Sequence, residues 1–206
     1  MRLIFLLLAG SVSVFVAYGV FFADDYSKGV KNYPSTGTEI IAFGDSLIAG
    51  EGATAGNDLV STIGRQLGQP IVNLGKSGDT TETALARLPS VLARDPKVVI
   101  VLLGGNDYLR RVPLEVTFAN LETIVTNIQD AGAIVVVLGV RGGILTDDYK
   151  KQFDLLTKKY HTAYVPDVLS GVIAHPELMH DTIHPNDAGY AKIADRVYPV
   201  IEELIH

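Results

Sequence analysis

The sequence contains no cysteine and no tryptophan, and it has fewer basic than acidic residues. Without cysteine the chain can form neither a disulfide scaffold nor a thiolate metal site, and it cannot use a cysteine nucleophile. The formal charge of -6 argues against a nucleic-acid binder, which should present a basic face. The hydrophobic fraction of 48% is too high for a disordered chain, and 206 residues fit one domain, or one domain with a tail.

Charge is also missing from one long stretch near the amino terminus. Residues Leu3–Ala23 carry no charged side chain, and Arg2 is the only charged residue before Asp24. As a helix, this run would span about 30 Å, the thickness of a bilayer core. We therefore expect residues 1–23 to form an apolar helix that is an uncleaved signal anchor or a signal peptide, with a buried domain helix as a further alternative. Arg2 favours a cell-envelope protein whose domain lies outside the cytoplasm, attached to the membrane through this segment, or periplasmic or secreted if the leader is cleaved.

The remainder of the chain divides into a polar segment and an alternating α/β pattern. Residues 24–38 are polar and rich in turn formers, which indicates a tether. From residue 39 to residue 206, apolar runs alternate with amphipathic stretches. Lys97–Leu103 and Ala133–Leu138 are almost wholly apolar, which is typical of strands buried on both faces of a parallel sheet. The pattern predicts a three-layer α/β/α domain at 39–206 with a five-stranded parallel sheet, whose ligands bind beyond the carboxyl ends of the strands.

The expected elements have definite bounds in the sequence. The expected strands are Ile40–Phe43, Pro70–Leu74, Lys97–Leu103, Ala133–Leu138 and Ala163–Val165. The expected helices are Asp58–Leu67, Thr81–Arg94, Pro113 to about Asp130, Asp148–Tyr160, and a last helix from Asn186 or Asp187 to Ile205. Pro89 is expected to disturb the second of these helices, because proline has no backbone N–H to donate.

Four short motifs follow predicted strands or precede the last helix. They are Gly44-Asp45-Ser46-Leu47, Asn73–Thr80, Gly104-Gly105-Asn106-Asp107 and Asp181-Thr182-Ile183-His184-Pro185. A serine at a strand-to-helix turn can expose its hydroxyl, a glycine N–H or an asparagine amide can donate to an oxyanion, and a carboxylate can orient a nearby histidine. Each motif alone has a plainer explanation: a helix cap at Ser46, a turn glycine at Gly78, a loop amide at Asn106, and a surface histidine or zinc ligand at His184.

Taken in order, these motifs resemble those of the SGNH hydrolases, also called GDSL esterases and lipases. The resemblance runs from about residue 40 to residue 205 and is strongest to small bacterial lysophospholipase, arylesterase and acyl-CoA thioesterase-like enzymes. It implies a flavodoxin-like fold and a serine hydrolase without a metal or organic cofactor. Asp45 and Asp107 are interpreted as structural groups that bond the backbone of adjacent turns. The resemblance implies a catalytic triad of Ser46, Asp181 and His184, and an oxyanion hole formed by Ser46, Gly78 and Asn106.

The resemblance further implies a serine esterase that hydrolyses aryl or short-chain esters, lysophospholipids or acyl thioesters through an acyl-enzyme. Its partner would be a small acyl-ester or lipid substrate, and we expect a monomer that binds no nucleic acid. Apolar residues near the motifs favour a lipid or aryl ester over a sugar ester. The candidate substrate-binding residues are Tyr108, Leu109, Ile144 and Leu145. Two alternatives stay open: a carbohydrate O-acetylesterase on the same triad, and a non-catalytic envelope binding module.

Overall fold

The computed structural model describes residues 25–141 and 148–206 of the chain. Within these ranges five parallel strands form one sheet in the order β2-β1-β3-β4-β5. The strands are β1 (Glu39–Gly44), β2 (Val72–Gly75), β3 (Pro96–Leu102), β4 (Ile134–Leu138) and β5 (Ala163–Val165). The central strands β1, β3 and β4 are buried almost throughout, as expected for a sheet covered on both faces.

Helices cover the sheet on both sides and complete the predicted three-layer architecture. The helices are α1 (Ser46–Ala49), α2 (Leu59–Leu67), α3 (Thr81–Arg87), α4 (Pro89–Leu92), α5 (Gly105–Leu109), α6 (Leu114–Asp130), α7 (Asp148–Tyr160) and α8 (Asp187–Ile205). Helices α2 and α8 pack against each other, and α6 packs against α3, α4 and α7. A short 3₁₀ helix, Pro176–Leu178, precedes the loop that leads into α8.

The structure corrects the expected helix Thr81–Arg94. It consists of two helices, because α3 ends at Arg87 and α4 begins at Pro89. Proline fits the first turn of a helix but interrupts a continuing one, so Pro89 separates the two. Helices α1 and α5 were not predicted, because four or five residues are too few to show a helical period.

Residues 25–38, which make up most of the expected tether 24–38, lie along the domain. The Ser27 N–H donates to Glu203 Oε1 at 3.0 Å, and the Asn32 side-chain amide donates to the Gln129 carbonyl at 2.7 Å. These contacts hold the segment against α8 and the end of α6.

Two expectations fall on parts of the chain outside the described residues. They are the apolar helix at 1–23 and the substrate contacts of Ile144 and Leu145, and both stay predictions. Among the helices that the structure does describe, none is both long enough and apolar enough to cross a membrane.

Candidate active site

Three side chains form a hydrogen-bonded chain beyond the carboxyl ends of the strands. The Oγ atom of Ser46 lies 3.0 Å from His184 Nε2, and His184 Nδ1 lies 2.8 Å from Asp181 Oδ2. Because an ionised carboxylate can only accept, the proton of a neutral imidazole is placed on Nδ1, and Nε2 can accept from the serine hydroxyl. The arrangement therefore provides a hydroxyl, an adjacent base and a group that orients the base.

The position of Ser46 is set by an abrupt change from strand to helix. Strand β1 ends at Gly44, and α1 begins at Ser46. Between them, Asp45 caps the helix, since its Oδ1 accepts the Leu47 N–H at 3.0 Å. The cap fixes the turn, and the first residue of a helix has a backbone N–H without a carbonyl partner inside that helix.

The loop that carries His184 is held by its own carboxylate and by a close backbone approach. Asp181 Oδ1 accepts the backbone N–H groups of Ile183 and His184, both at 2.7 Å. At Gly52, which has φ of +88°, a Cβ atom would lie 2.5 Å from the Pro185 carbonyl oxygen. Glycine at position 52 thus lets the loop after α1 pack directly on the histidine loop, which brings Ser46 and His184 together.

The hydrogen bonds to Asp181 also set its charge. The His184 ring, followed by the His184 and Ile183 backbone N–H groups, holds the pKa of this carboxyl well below its usual range. Asp181 therefore stays ionised at neutral pH. A carboxylate in this state favours the imidazole tautomer described above.

Asp45 shows the opposite behaviour because it is buried. Burial raises its pKa to about 7, although the Leu47 N–H and the charge of His184 oppose the shift and Asp79 and Asp107 add to it. The folded protein therefore holds this proton more tightly than the unfolded chain, in which the carboxyl has its ordinary pKa. Stability from this group is present at low pH and is lost as the pH rises toward 7.

We expect Asp45→Asn to flatten the pH dependence of folding stability. Asparagine keeps an oxygen that can accept the Leu47 N–H but has no charge to bury. Relative to this variant, the wild type should lose up to about 4 kcal/mol of unfolding free energy between about pH 4 and pH 7. Urea unfolding across this pH range measures the difference. If the unfolding free energies of the two proteins had the same pH dependence, the pKa of the Asp45 carboxyl would not be raised.

Asp107 fulfils the structural role expected from the sequence. Its carboxylate is fully buried and accepts the Thr81 N–H at 2.9 Å and the Thr81 hydroxyl at 2.6 Å. These bonds attach the start of α3 to α5. They fix Asn106, the preceding residue, relative to the loop that contains Gly78.

The two other candidate oxyanion donors lie on this pair of segments. The Asn106 side-chain amide donates one N–H to the Asp79 carbonyl at 2.9 Å, which leaves its second N–H for another acceptor. Gly78 has φ of +81°, as expected for a glycine, and its carbonyl accepts from Arg110 Nη2 at 2.9 Å. Asn106 lines the cavity next to Ser46, whereas Gly78 lies one residue from the Asn106 partner and is not a lining residue of that cavity.

A mostly apolar cavity of about 240 Å³ opens beside Ser46 and Asn106. It includes the predicted residues Tyr108 and Leu109, which lie on α5 and are both exposed. The other apolar lining residues were not predicted from the sequence, because they are separated along the chain and carry no pattern of their own. These residues are Leu47, Val140, Leu169, Ile173 and Ile183. Two of them lie inside quoted motifs: Leu47 in the Gly44–Leu47 motif and Ile183 in the Asp181–His184 motif.

The zinc alternative at His184 finds no support in the described part of the chain. No group of three or more histidine, aspartate or glutamate side chains there could hold a metal ion. The His175 ring instead lies beside Glu177, with Nδ1 3.3 Å from the carboxylate.

Residues 42–192 match the model of the GDSL-like Lipase/Acylhydrolase family. The chain belongs to this family. It is therefore an enzyme, a serine hydrolase of the GDSL (SGNH) type. The three-layer fold with a five-stranded parallel sheet, predicted from the sequence, is confirmed as the fold of that family.

Curated relatives cover most of this serine hydrolase. It is 30% identical over 178 residues to "Esterase TesA" of Pseudomonas aeruginosa, which covers 81% of this chain and 89% of the relative. It is 33% identical over 171 residues to an arylesterase of Vibrio mimicus, covering 77% of this chain and 86% of the relative. "Thioesterase 1/protease 1/lysophospholipase L1" of Escherichia coli is 30% identical over 176 residues, which cover 81% of this chain and 85% of the relative. The crystal structure of TesA superimposes with a TM-score of 0.74 at 28% identity, covering 81% of this chain and 99% of that one.

Proposed function

We propose that this GDSL-family hydrolase is an esterase that cleaves acyl esters with Ser46, His184 and Asp181 as its catalytic triad. The observation that carries the proposal is the continuous chain of hydrogen bonds from Ser46 Oγ through both ring nitrogens of His184 to Asp181. Relatives named esterase, arylesterase and thioesterase/lysophospholipase support the same reaction class.

In the proposed first half-reaction, Ser46 Oγ attacks the acyl carbonyl carbon. His184 Nε2 accepts the hydroxyl proton, and the ionised Asp181 stabilises the imidazolium that forms. His184 then donates this proton to the leaving alcohol or thiol as the carbon–oxygen or carbon–sulfur bond breaks. In the second half-reaction, water attacks the acyl-enzyme with His184 again as base. The bond between the acyl carbon and Ser46 Oγ then breaks, His184 returns the proton to Oγ, and the carboxylic acid is released.

The oxyanion of each tetrahedral intermediate would be bound by groups that meet beside Ser46. The second N–H of the Asn106 side-chain amide, the Ser46 backbone N–H and the Gly78 backbone N–H are the proposed donors. One such donor typically contributes about 3–4 kcal/mol to lowering the barrier. No step in this mechanism needs a metal or an organic cofactor.

An acyl-length panel with p-nitrophenyl esters, from acetyl to decanoyl, tests the proposal. The purified protein should hydrolyse these esters, and a fluorophosphonate probe should label Ser46. Ser46→Ala serves as the blank. Failure of the probe to label the wild type would favour the non-catalytic binding module, and turnover restricted to acetyl esters would favour the carbohydrate O-acetylesterase. A lysophospholipid and an acyl thioester in the same panel distinguish the remaining substrate classes.

The apolar cavity favours substrates whose acyl chain is longer than acetyl. In the described part of the chain, six large apolar side chains are exposed, and four of them line this one cavity: Tyr108, Leu109, Ile173 and Ile183. Apolar side chains grouped around a polar reaction centre are typical of a site for an apolar ligand.

We expect Leu109→Ser to raise KM for an octanoyl ester about fivefold and to leave KM for an acetyl ester nearly unchanged. Contact of this leucine with an acyl chain should contribute about 1 kcal/mol. Leu155→Ser is the matched control, because Leu155 is 52% exposed on α7, Leu109 is 55% exposed, and Leu155 does not line the cavity. Equal effects of both substitutions on the two esters would contradict the assignment.

We further propose, from the sequence alone, that residues 1–23 direct the enzyme to the cell envelope. Fractionation of cells that produce the full chain tests this proposal. Recovery in the membrane fraction after alkaline carbonate washing supports the anchor, and a shortened chain outside the cytoplasm supports cleavage. Full-length protein in the cytosol contradicts both.

A further inference from the structure

One arginine outside the four motifs contacts two of the four segments that carry the proposed catalytic and oxyanion groups. Arg87 is the last residue of α3, and its side chain is 21% exposed. Its Nη2 donates to the Gly44 carbonyl at 2.8 Å, and its Nη1 donates to the Leu74 carbonyl at 2.7 Å. Its Nε donates to the Asp79 carboxylate in an ion pair. The guanidinium also lies over the Phe43 ring, 4.3 Å from the ring centre.

The partners of Arg87 stand next to the groups that would react with substrate. Gly44 ends β1, two residues before Ser46. Asp79 follows Gly78, and the Asp79 carbonyl accepts the amide of Asn106. A single planar guanidinium therefore connects the turn before Ser46 with the loop Gly78–Asp79. That loop carries one proposed oxyanion donor, the Gly78 N–H, and its Asp79 carbonyl orients another, the Asn106 amide.

The chemistry of the pair makes this connection rigid. The Asp79 side chain is only 3% exposed, and its other oxygen accepts the Thr83 hydroxyl at 3.0 Å. A buried carboxylate that loses its cation is strongly disfavoured, so Asp79 would not keep its place without Arg87. Lysine can supply the charge, but it cannot bind two carbonyls and a carboxylate in one plane as the guanidinium does.

We propose that Arg87 is a positioning residue that sets the geometry of the oxyanion hole. It acts through Asp79, whose carbonyl fixes the side-chain amide of Asn106, and through Gly44, which fixes the turn before Ser46. This inference rests on the proposed function. It differs from a general structural role because it requires the loss of transition-state stabilisation to exceed any loss of substrate binding.

The test compares Arg87→Met and Arg87→Lys with the wild type, each normalised to the number of sites labelled by a fluorophosphonate. In Arg87→Met, kcat for p-nitrophenyl butyrate should fall about 10- to 100-fold while KM changes less than about threefold. Inhibition by phenylboronic acid, which forms a tetrahedral anion on Ser46, should weaken by the same factor as kcat. Arg87→Lys should lie between Arg87→Met and the wild type in both measurements.

Arg94→Met is the matched control. Arg94 pairs with Glu39 at the opposite end of β1, with Nε 2.7 Å from the carboxylate. This variant should change kcat, KM and boronate inhibition by less than about twofold. If Arg87→Met fails to fold, Arg87→Lys and Asp79→Asn carry the test, since both should lower kcat and weaken boronate inhibition together.

The inference is overturned if kcat and boronate inhibition per labelled site stay within about twofold of the wild type in the variants that fold. It is also overturned if KM rises while kcat and boronate inhibition do not change. These outcomes differ from failure of the proposed function. If the proposed function were wrong, the wild type itself would neither hydrolyse the ester nor bind the boronate.

Discussion

Ser46→Ala is expected to lower kcat for a short acyl ester by about 10⁴-fold or more. The reason is that alanine removes the attacking oxygen and leaves His184 without the hydroxyl that lies 3.0 Å from its Nε2. His184→Ala should reduce kcat to a similar extent, because Ser46 then has no base. The double variant should be no slower than the slower single variant, since the two residues act as one unit.

The control for this prediction is Ser61→Ala. The Ser61 hydroxyl donates to Asp58 at 2.6 Å at the start of α2, so it too is a hydrogen-bonded serine, but it lies outside the candidate site. It should keep kcat within about twofold of the wild type. If Ser46→Ala retained substantial ester hydrolysis after contaminating activity had been excluded, Ser46 would not be the nucleophile. If the rate losses of Ser46→Ala and His184→Ala instead multiplied in the double variant, the two residues would act in separate steps.

The strands could be placed from the sequence because burial on both faces of the sheet leaves a distinct pattern. The expected strand Lys97–Leu103 is found as β3, displaced by one residue at each end. Short elements leave no such pattern. Helix α5 has only five residues, and its position is set by Gly104 in the left-handed conformation and by the buried Asp107 carboxylate. The first is a feature of a single residue and the second depends on tertiary bonds to Thr81, so local periodicity predicts neither.

The residues of the candidate site also divide into those that could be predicted from the sequence and those that could not. Ser46 and Asn106 could be assigned in advance to the carboxyl edge of the sheet, because their motifs follow two predicted parallel strands. The structure adds that these strands, β1 and β3, are direct neighbours. Arg87 gave no comparable signal. An arginine at the end of an amphipathic helix is usually an exposed residue with a favourable position at the helix C-terminus. Only the register of β1 against β2 places the Gly44 and Leu74 carbonyls within its reach.

Asp181→Asn is expected to lower kcat by about 10³- to 10⁴-fold while the fold is retained. Asparagine keeps an oxygen that can accept the backbone N–H groups of Ile183 and His184. Its amide nitrogen, however, can only donate to His184 Nδ1. A ring nitrogen that accepts carries no proton, so the imidazole proton moves to Nε2. Nε2 then cannot accept the proton of Ser46, and the imidazolium loses its stabilising charge.

Asp187→Asn provides a matched control, since Asp187 is also a carboxylate that accepts a backbone N–H, although it is half-buried. It accepts the Thr54 N–H at 2.7 Å and the Thr54 hydroxyl at 2.6 Å, whereas the ring nitrogens of His184 bond to Asp181 and Ser46. Its substitution should leave kcat within about threefold of the wild type. Equal losses in both variants would mean that the activity depends on the loop contacts and not on the charge of Asp181. A selective loss in Asp181→Asn, with KM unchanged, is the result that the imidazole tautomer requires.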